Sequence, residues 1–202
     1  DDEVCCEASR QEIIRRYYQA LGRLAKDKGT QDEVYKIELL MKQAKITPEY
    51  RPVVPTANNL AKETKAPAAA LELPDGKIVT GKTTALLGAS SAVLLNAVKE
   101  LGGIPDETLL ISPTFIEPIQ HLKTEYLGSK NPRLHTDEVL TALSMCAASD
   151  ENARRALEQL PLLRGCQVHT SVMLSSVDVK TFHALGIQLT SEPIYEDKKL
   201  YH

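Results

Sequence analysis

Apolar residues recur at helical spacing between residues 7 and 26, where Ile14, Tyr17, Leu21 and Leu24 share one face, and this period predicts an amphipathic helix. After the polar break Asp27-Lys28-Gly29-Thr30 the same period returns in Val34, Ile37, Leu40, Met41 and Ala44. Two such stretches joined by a short link predict an antiparallel helical pair. Pro48 disfavours helical backbone in the residue before it, so the second helix is expected to end near Thr47. Residues 1–50 therefore read as a helical arm and linker from an upstream domain, and residues 51–202 as an α/β domain. That domain opens with an extended, proline-flanked segment at 51–55 and a short helix to Lys65 capped by Thr56.

Beyond Lys65 the period changes. Two short apolar runs, 68–73 and 77–81, flank Pro74-Asp75-Gly76, and an Asp-Gly pair supplies the positive-φ position of a tight hairpin. A helix is expected at 89–101, closed by Gly102-Gly103, then a buried strand at 108–112 and a helix at 114–127 with Pro118 near its first turn. Helices at 136–148, with Thr136 as cap, and at 151–160, with Asp150 as cap and Pro161 as stop, follow a loop at 128–132. The chain closes with a strand at 167–174, a helix at 177–185 capped by Ser175 or Ser176, and a strand at 187–190. Strand, helix, strand is a parallel crossover. The fold class expected is α/β, a mixed sheet flanked by helices, with a helical arm.

Composition removes several functions. The net charge is −3, and no dense Lys/Arg run stands out, so a nucleic-acid partner is not expected; aromatic residues make up 4% of the chain and Trp is absent, which leaves few platforms for base stacking. No stretch reaches the roughly 18–20 apolar residues of a membrane span, and the start Asp1-Asp2-Glu3 is unlike a basic signal leader. The four cysteines show no disulfide-framework spacing, which favours reduced thiols in a cytoplasm. The absence of an initiating Met, with a helical pattern under way at the start, leads to the expectation of further residues upstream.

Four constellations carry candidate chemistry. Gly76-Lys77-Ile78-Val79-Thr80-Gly81-Lys82-Thr83 matches the phosphate-loop expression letter for letter. Its spacer residues Ile78 and Val79 are β-branched and prefer extended backbone, however, and Asp75 would set a negative charge beside a phosphate. The hairpin explains the same residues better. Cys166-x-x-His169 has metal-ligand spacing but no second pair, so no metal site and no cofactor is expected in this segment. Arg133, His135 and Asp137 crowd a loop-to-helix junction, where an anion can be received or a base presented. Ser175 and Ser176 stand at the crossover turn beyond the strand that bears His169, and open α/β sheets bind ligands beyond the carboxyl ends of their strands. Arg133, His135, Asp137 and His169 are the candidates for catalysis, and Ser175 and Ser176 those for binding a cofactor.

The run Leu71-Glu72-Leu73-Pro74-Asp75-Gly76-Lys77-Ile78-Val79-Thr80-Gly81-Lys82-Thr83, the run Leu127-Gly128-Ser129-Lys130-Asn131-Pro132-Arg133-Leu134-His135-Thr136-Asp137-Glu138, and the ending Lys198-Lys199-Leu200-Tyr201-His202 resemble the C-terminal part of the bacterial family known as domain of unknown function 1846. The resemblance implies a larger upstream region with its own glycine-rich phosphate loop, and it brings no catalytic residues to carry over. The zinc-protease activity ascribed to some members would need an H-E-x-x-H helix, which the chain lacks. A looser similarity links the strand, Asp-Gly turn, strand and helix to the opening of cytidine-deaminase-like three-layer folds. The two helix starts that bear zinc ligands in active deaminases correspond here to Gly88-Ala89-Ser90-Ser91 and Ser112-Pro113-Thr114-Phe115-Ile116-Glu117, which carry none. Two functions follow as expectations. One is a non-catalytic accessory or assembly module of a larger nucleotide-binding protein, with the upstream domain and further copies of itself as partners. The other is part of an ATP-dependent enzyme whose site is shared with the upstream domain.

Overall fold

The computed structural model describes residues 2–196; the ending 198–202, with His202, lies outside the described residues. Among the described residues, eight α-helices and four strands follow one another. Helices α1 (Asp2–Ala25) and α2 (Gln31–Ala44) form the antiparallel pair. Thr30 caps α2 by accepting the Glu33 amide at 3.3 Å. The pair ends earlier than Thr47 because Lys45 adopts the left-handed conformation (φ 54°), with its N–H on Lys42 O and that of Ile46 on Met41 O. This double closure ends a helix and tucks the next apolar residue inward, and Ile46 is buried beside Ile14, Tyr18 and Met41.

Helix α3 (Val53–Thr64) replaces the extended segment expected at 51–55. Pro55 fits in its first turn, where no intrahelical N–H is required, and Thr56 donates its hydroxyl to Pro52 O at 2.9 Å instead of capping. The arm is tied to the sheet: the Tyr18 hydroxyl lies 3.2 Å from a Glu192 carboxylate oxygen, and its ring packs on His169 at 4.9 Å. Arg51, fully buried at the start of this layer, donates to the carbonyls of Val168 and Gln188 at 3.2 and 2.5 Å. Burial pushes its guanidinium down to about 10.

Strands β1 (Ala68–Glu72), β2 (Ile78–Lys82), β3 (Gln167–Thr170) and β4 (Gln188–Ser191) form one mixed sheet in the order β2-β1-β3-β4. β1 is antiparallel to both neighbours, and β3 and β4 are parallel. The phosphate-loop lettering is the β1–β2 hairpin. Gly76 takes φ 85° in the turn, Asp75 accepts the Lys77 amide at 3.0 Å, and Val79 and Thr80 pair with Leu71 and Ala70. Extended residues cannot curl their amides toward a phosphate.

The other layer consists of α4 (Ala89–Leu101), α6 (Thr136–Cys146), α7 (Glu151–Leu157) and α8 (Ser176–Ala184). Its core gathers Leu71, Val93, Leu94, Leu143, Val168 and Phe182. The strand expected at 108–112 does not form. Leu110 and Ile111 are buried in the core cluster and do not join the sheet. β3 stops at Thr170, short of the expected 174, because its partner β1 begins at Ala68, where the Ser171 amide and hydroxyl close the ladder on the Ala68 backbone. Helix α5 (Pro113–His121) gives way to a single wide turn of π-helix at Leu122–Tyr126. Asp150 caps α7 as expected, while Pro161 sits inside a following 3₁₀ turn (Leu160–Leu163) instead of ending the helix.

Candidate functional site

The ends of β1, β2 and β3 nearest α4, α6 and α8 enclose a cavity of about 70 Å³, roughly the space of two or three waters. Arg133, His135 and Ser175 line it, together with Gly88, Ser90 and Glu196. Leu134, between the two candidate residues, anchors their loop. It is buried, its N–H donates to Leu86 O at 3.1 Å, and its carbonyl accepts the Ser91 hydroxyl at 3.0 Å. A buried leucine flanked by two polar residues on an irregular segment turns both of them to one side.

His135, rather than Thr136, is the N-cap of α6, and Glu138 accepts the His135 amide at 2.7 Å. Thr136 is fully buried, and both its N–H and its hydroxyl donate to Asp178 at 2.8 and 2.9 Å. The second Asp178 oxygen lies 3.3 Å from His135 Nδ1 and accepts the Ser175 hydroxyl at 2.9 Å. Asp178 thus joins the starts of two helices. Burial pushes its acid up, but the bonds from His135 and Thr136 outweigh burial and hold it below the usual carboxylate range. The hydrogen bond to Asp178 raises the His135 imidazole above its ordinary value, against the opposing effect of burial.

Ser175 and Asp178 both meet His135 at Nδ1. This is not the relay of a Ser-His-Asp triad, in which serine and aspartate take opposite ring nitrogens. It is an Asp-His dyad. Nδ1 is fixed, and Nε2 has no protein partner among the described residues. An imidazole held in this way serves as a proton donor or acceptor.

Lys123 supports the dyad from below. Its buried ammonium donates to Arg133 O at 2.6 Å and to Glu138 at 2.7 Å, from a π-turn of the kind that often marks functional sites. Replacing Lys123 by Ala leaves both acceptors short of a donor, and the expected cost is about 2 kcal/mol of unfolding free energy in urea titration.

The structure brings Arg133, His135 and Ser175 to one cavity and leaves Asp137, His169 and Ser176 out of its lining. Asp137 is exposed and accepts the Glu138 amide at 2.8 Å. Ser176 is the exposed first residue of α8, with Ser175 the cap. His169 faces the arm, fully buried between Thr190 at 2.8 Å and Glu192 at 3.2 Å, and burial drives its imidazole below the ordinary range. Asp178 and Glu196 are absent from the sequence candidates, and Ser90 enters there only within the helix start Gly88-Ala89-Ser90-Ser91. The spacing Ser175-x-x-Asp178 is a capping signature that could have drawn attention to Asp178, whereas Glu196 carries no local signal.

The deaminase comparison also shifts. The helix after the third strand is α8, so the second of the two helix starts is Ser175-Ser176-Val177-Asp178, which lines the cavity through Ser175 and Asp178, as Gly88-Ala89-Ser90 does. Among the described residues, no three His, Cys, Asp or Glu side chains are placed to hold a metal ion. No described helix is long and apolar enough to cross a membrane.

The fold and cavity together define a mixed-sheet α/β module with a histidine-aspartate dyad at the end of its sheet. The chain belongs to the family of the domain of unknown function DUF1846, whose C-terminal model matches residues 49–201. The N-terminal model of the same family matches residues 1–45, so the chain is not confined to the C-terminal part that the sequence motifs suggested. It is 58% identical over 201 residues to a UPF0371 protein of Corynebacterium efficiens, covering 100% of this chain and 41% of the relative. A UPF0371 protein of Streptococcus thermophilus is 48% identical over 201 residues, again covering 100% of this chain and 41% of the relative. The chain thus spans about two-fifths of the length of these relatives.

Proposed function

We propose that the cavity is a ligand site with acid–base capability, and that in the longer family proteins it works together with the part this chain does not include. The observation that carries this reading is the His135–Asp178 dyad: Nδ1 is held by a buried carboxylate, and Nε2 is left without a partner among the described residues in a cavity that Arg133 also lines. The ligand class is a nucleotide, because the resemblance implies a phosphate loop upstream. The test is a thermal-shift series on the full-length protein with ATP, ADP, Mg²⁺ and Zn²⁺, beside His135→Ala. A ligand that stabilises the parent protein and loses its effect in the variant is expected; equal stabilisation of both overturns the reading. Proton NMR should place the His135 titration above 6.5, the ordinary histidine value, and that of His169 below it.

A second reading, an accessory module that assembles the longer protein or pairs with another copy, is favoured by the apolar side chains on the α1–α2 pair. Val4 is 72% exposed and Tyr35 57%. Sedimentation of this chain at high concentration tests self-association, and a monomer there removes the homo-oligomer. The four unbridged cysteines favour a reducing compartment, the cytoplasm.

A further inference from the structure

We propose that the start of α4 is an oxyanion subsite of the same cavity, built for a phosphate group, with Glu196 as its resident competitor. This rests on the cavity being a ligand site. Helix α4 has glycine at its N-cap and no side-chain cap. The Ala89 amide is accepted by Thr83 Oγ1 at 3.2 Å, whereas the amides of Ser90 and Ser91 have no acceptor among the described residues. Unsatisfied amides at a helix start, with the helix dipole behind them, attract anions.

The hydroxyl of Ser90 supplies the second, independent observation. Ser90 is 4% exposed and lines the cavity, yet its hydroxyl makes no hydrogen bond among the described residues. The hydroxyl oxygen does not belong to the wholly buried unpartnered side-chain atoms, so it keeps access to the cavity, where it can donate to a ligand. Its neighbour Gly88 keeps the space open: a Cβ there would meet only Ser90 Oγ, at 3.8 Å. Ser91 does not share the role, since its hydroxyl is spent on Leu134 O.

Across the cavity stands Arg133, paired with Glu196 at 2.5 Å. The donors around this space are two adjacent amides, the Ser90 hydroxyl, the Arg133 guanidinium and His135 Nε2–H when protonated. Five donor groups exceed what the two oxygens of one carboxylate accept with good geometry, whereas a phosphate presents three strong acceptor oxygens. Glu196 satisfies Arg133 alone. An entering phosphate takes the guanidinium from Glu196 and adds the α4 donors. A cavity of about 70 Å³ holds the phosphate group and not the rest of an ester, which would extend outward.

The test is titration of the ¹⁵N-labelled chain with inorganic phosphate and, separately, with glycerol 3-phosphate. Saturable shifts of the Ser90 and Ser91 amides are expected; binding of both points to the group alone, and tighter ester binding to a phosphorylated substrate. Ser90→Ala should weaken binding about tenfold, the effect of one lost hydrogen bond to a charged group. Gly88→Ala, which fills the open space, should weaken it in a chain whose circular dichroism is unchanged. Glu196→Gln should tighten binding several-fold by removing the competitor. Phosphate shifts elsewhere that leave the α4 amides still overturn the subsite while leaving the dyad reading to its own test. Affinity unchanged in Glu196→Gln removes the competitor.

Discussion

Asp178→Ala is expected to destabilise the chain by about 3 kcal/mol in urea unfolding, the range for removing one partner of a buried, hydrogen-bonded charge. The size follows from what the carboxylate holds. The Thr136 amide and hydroxyl, at 2.8 and 2.9 Å, lose their acceptor inside the protein, and Ser175 loses its own at 2.9 Å. Asp178→Asn keeps an oxygen for Thr136 and should cost less. The variants also change the pH dependence. The raised His135 value means that its contribution to stability is complete below about 6.5, the unfolded value, and is lost as pH rises through the folded value. Asp178 has the opposite sign: its lowered value gives stability present above about 3.9 and lost as pH falls through the folded value. Asp178→Ala should therefore flatten the alkaline decline and drop the His135 titration toward or below its ordinary value. A cost under about 1 kcal/mol with the His135 titration unmoved would mean that the carboxylate does not organise the junction.

Gly81→Ala is expected to cost about 3 kcal/mol or to prevent folding, at or beyond the usual range for overpacking. A Cβ at Gly81 would stand 2.3 Å from the Val93 amide nitrogen and 2.8 Å from the Ala92 carbonyl carbon. These are backbone atoms of α4 and cannot swing aside as a side chain can. Glycine is present because β2 and α4 touch backbone to backbone, a use of glycine at close approaches. Gly76→Ala is the internal comparison. Nothing lies within 4 Å of that added methyl, and only the positive φ of 85° resists it, so its cost should be about 1 kcal/mol. If Gly81→Ala unfolds no more readily than Gly76→Ala, the packing account fails. A phosphate-loop role would give another pattern, a loss of nucleotide binding without a loss of stability.

The apparent phosphate loop shows how far the letters of a sequence reach. The β-branched Ile78 and Val79 and the Asp-Gly turn already favoured the hairpin over the loop, because these preferences act through neighbours in the chain. Helical period placed α1, α2, α4, α6, α7 and α8, and the crossover of β3, α8 and β4 followed from strand, helix, strand. Local reasoning failed where a partner distant in sequence decides. Residues 108–112 had the composition of a strand, but Leu110 and Ile111 fill the core against the helices instead. Thr136 had the chemistry of a cap, but its hydroxyl went to Asp178, 42 residues away, and the cap passed to His135.

By itself, the sequence determined the α/β class, the hairpin and the crossover, since each depends on periodicity or on adjacent residues. The tertiary structure alone decided the sheet order, the burial of His169 under the arm, and the meeting of three helix starts at one cavity. Four residues that line it, Ser90, His135, Asp178 and Glu196, span more than a hundred residues of chain. Hydrogen bonds form between atoms within about 3 Å whatever their separation along the chain, so such a site leaves little trace in local spacing.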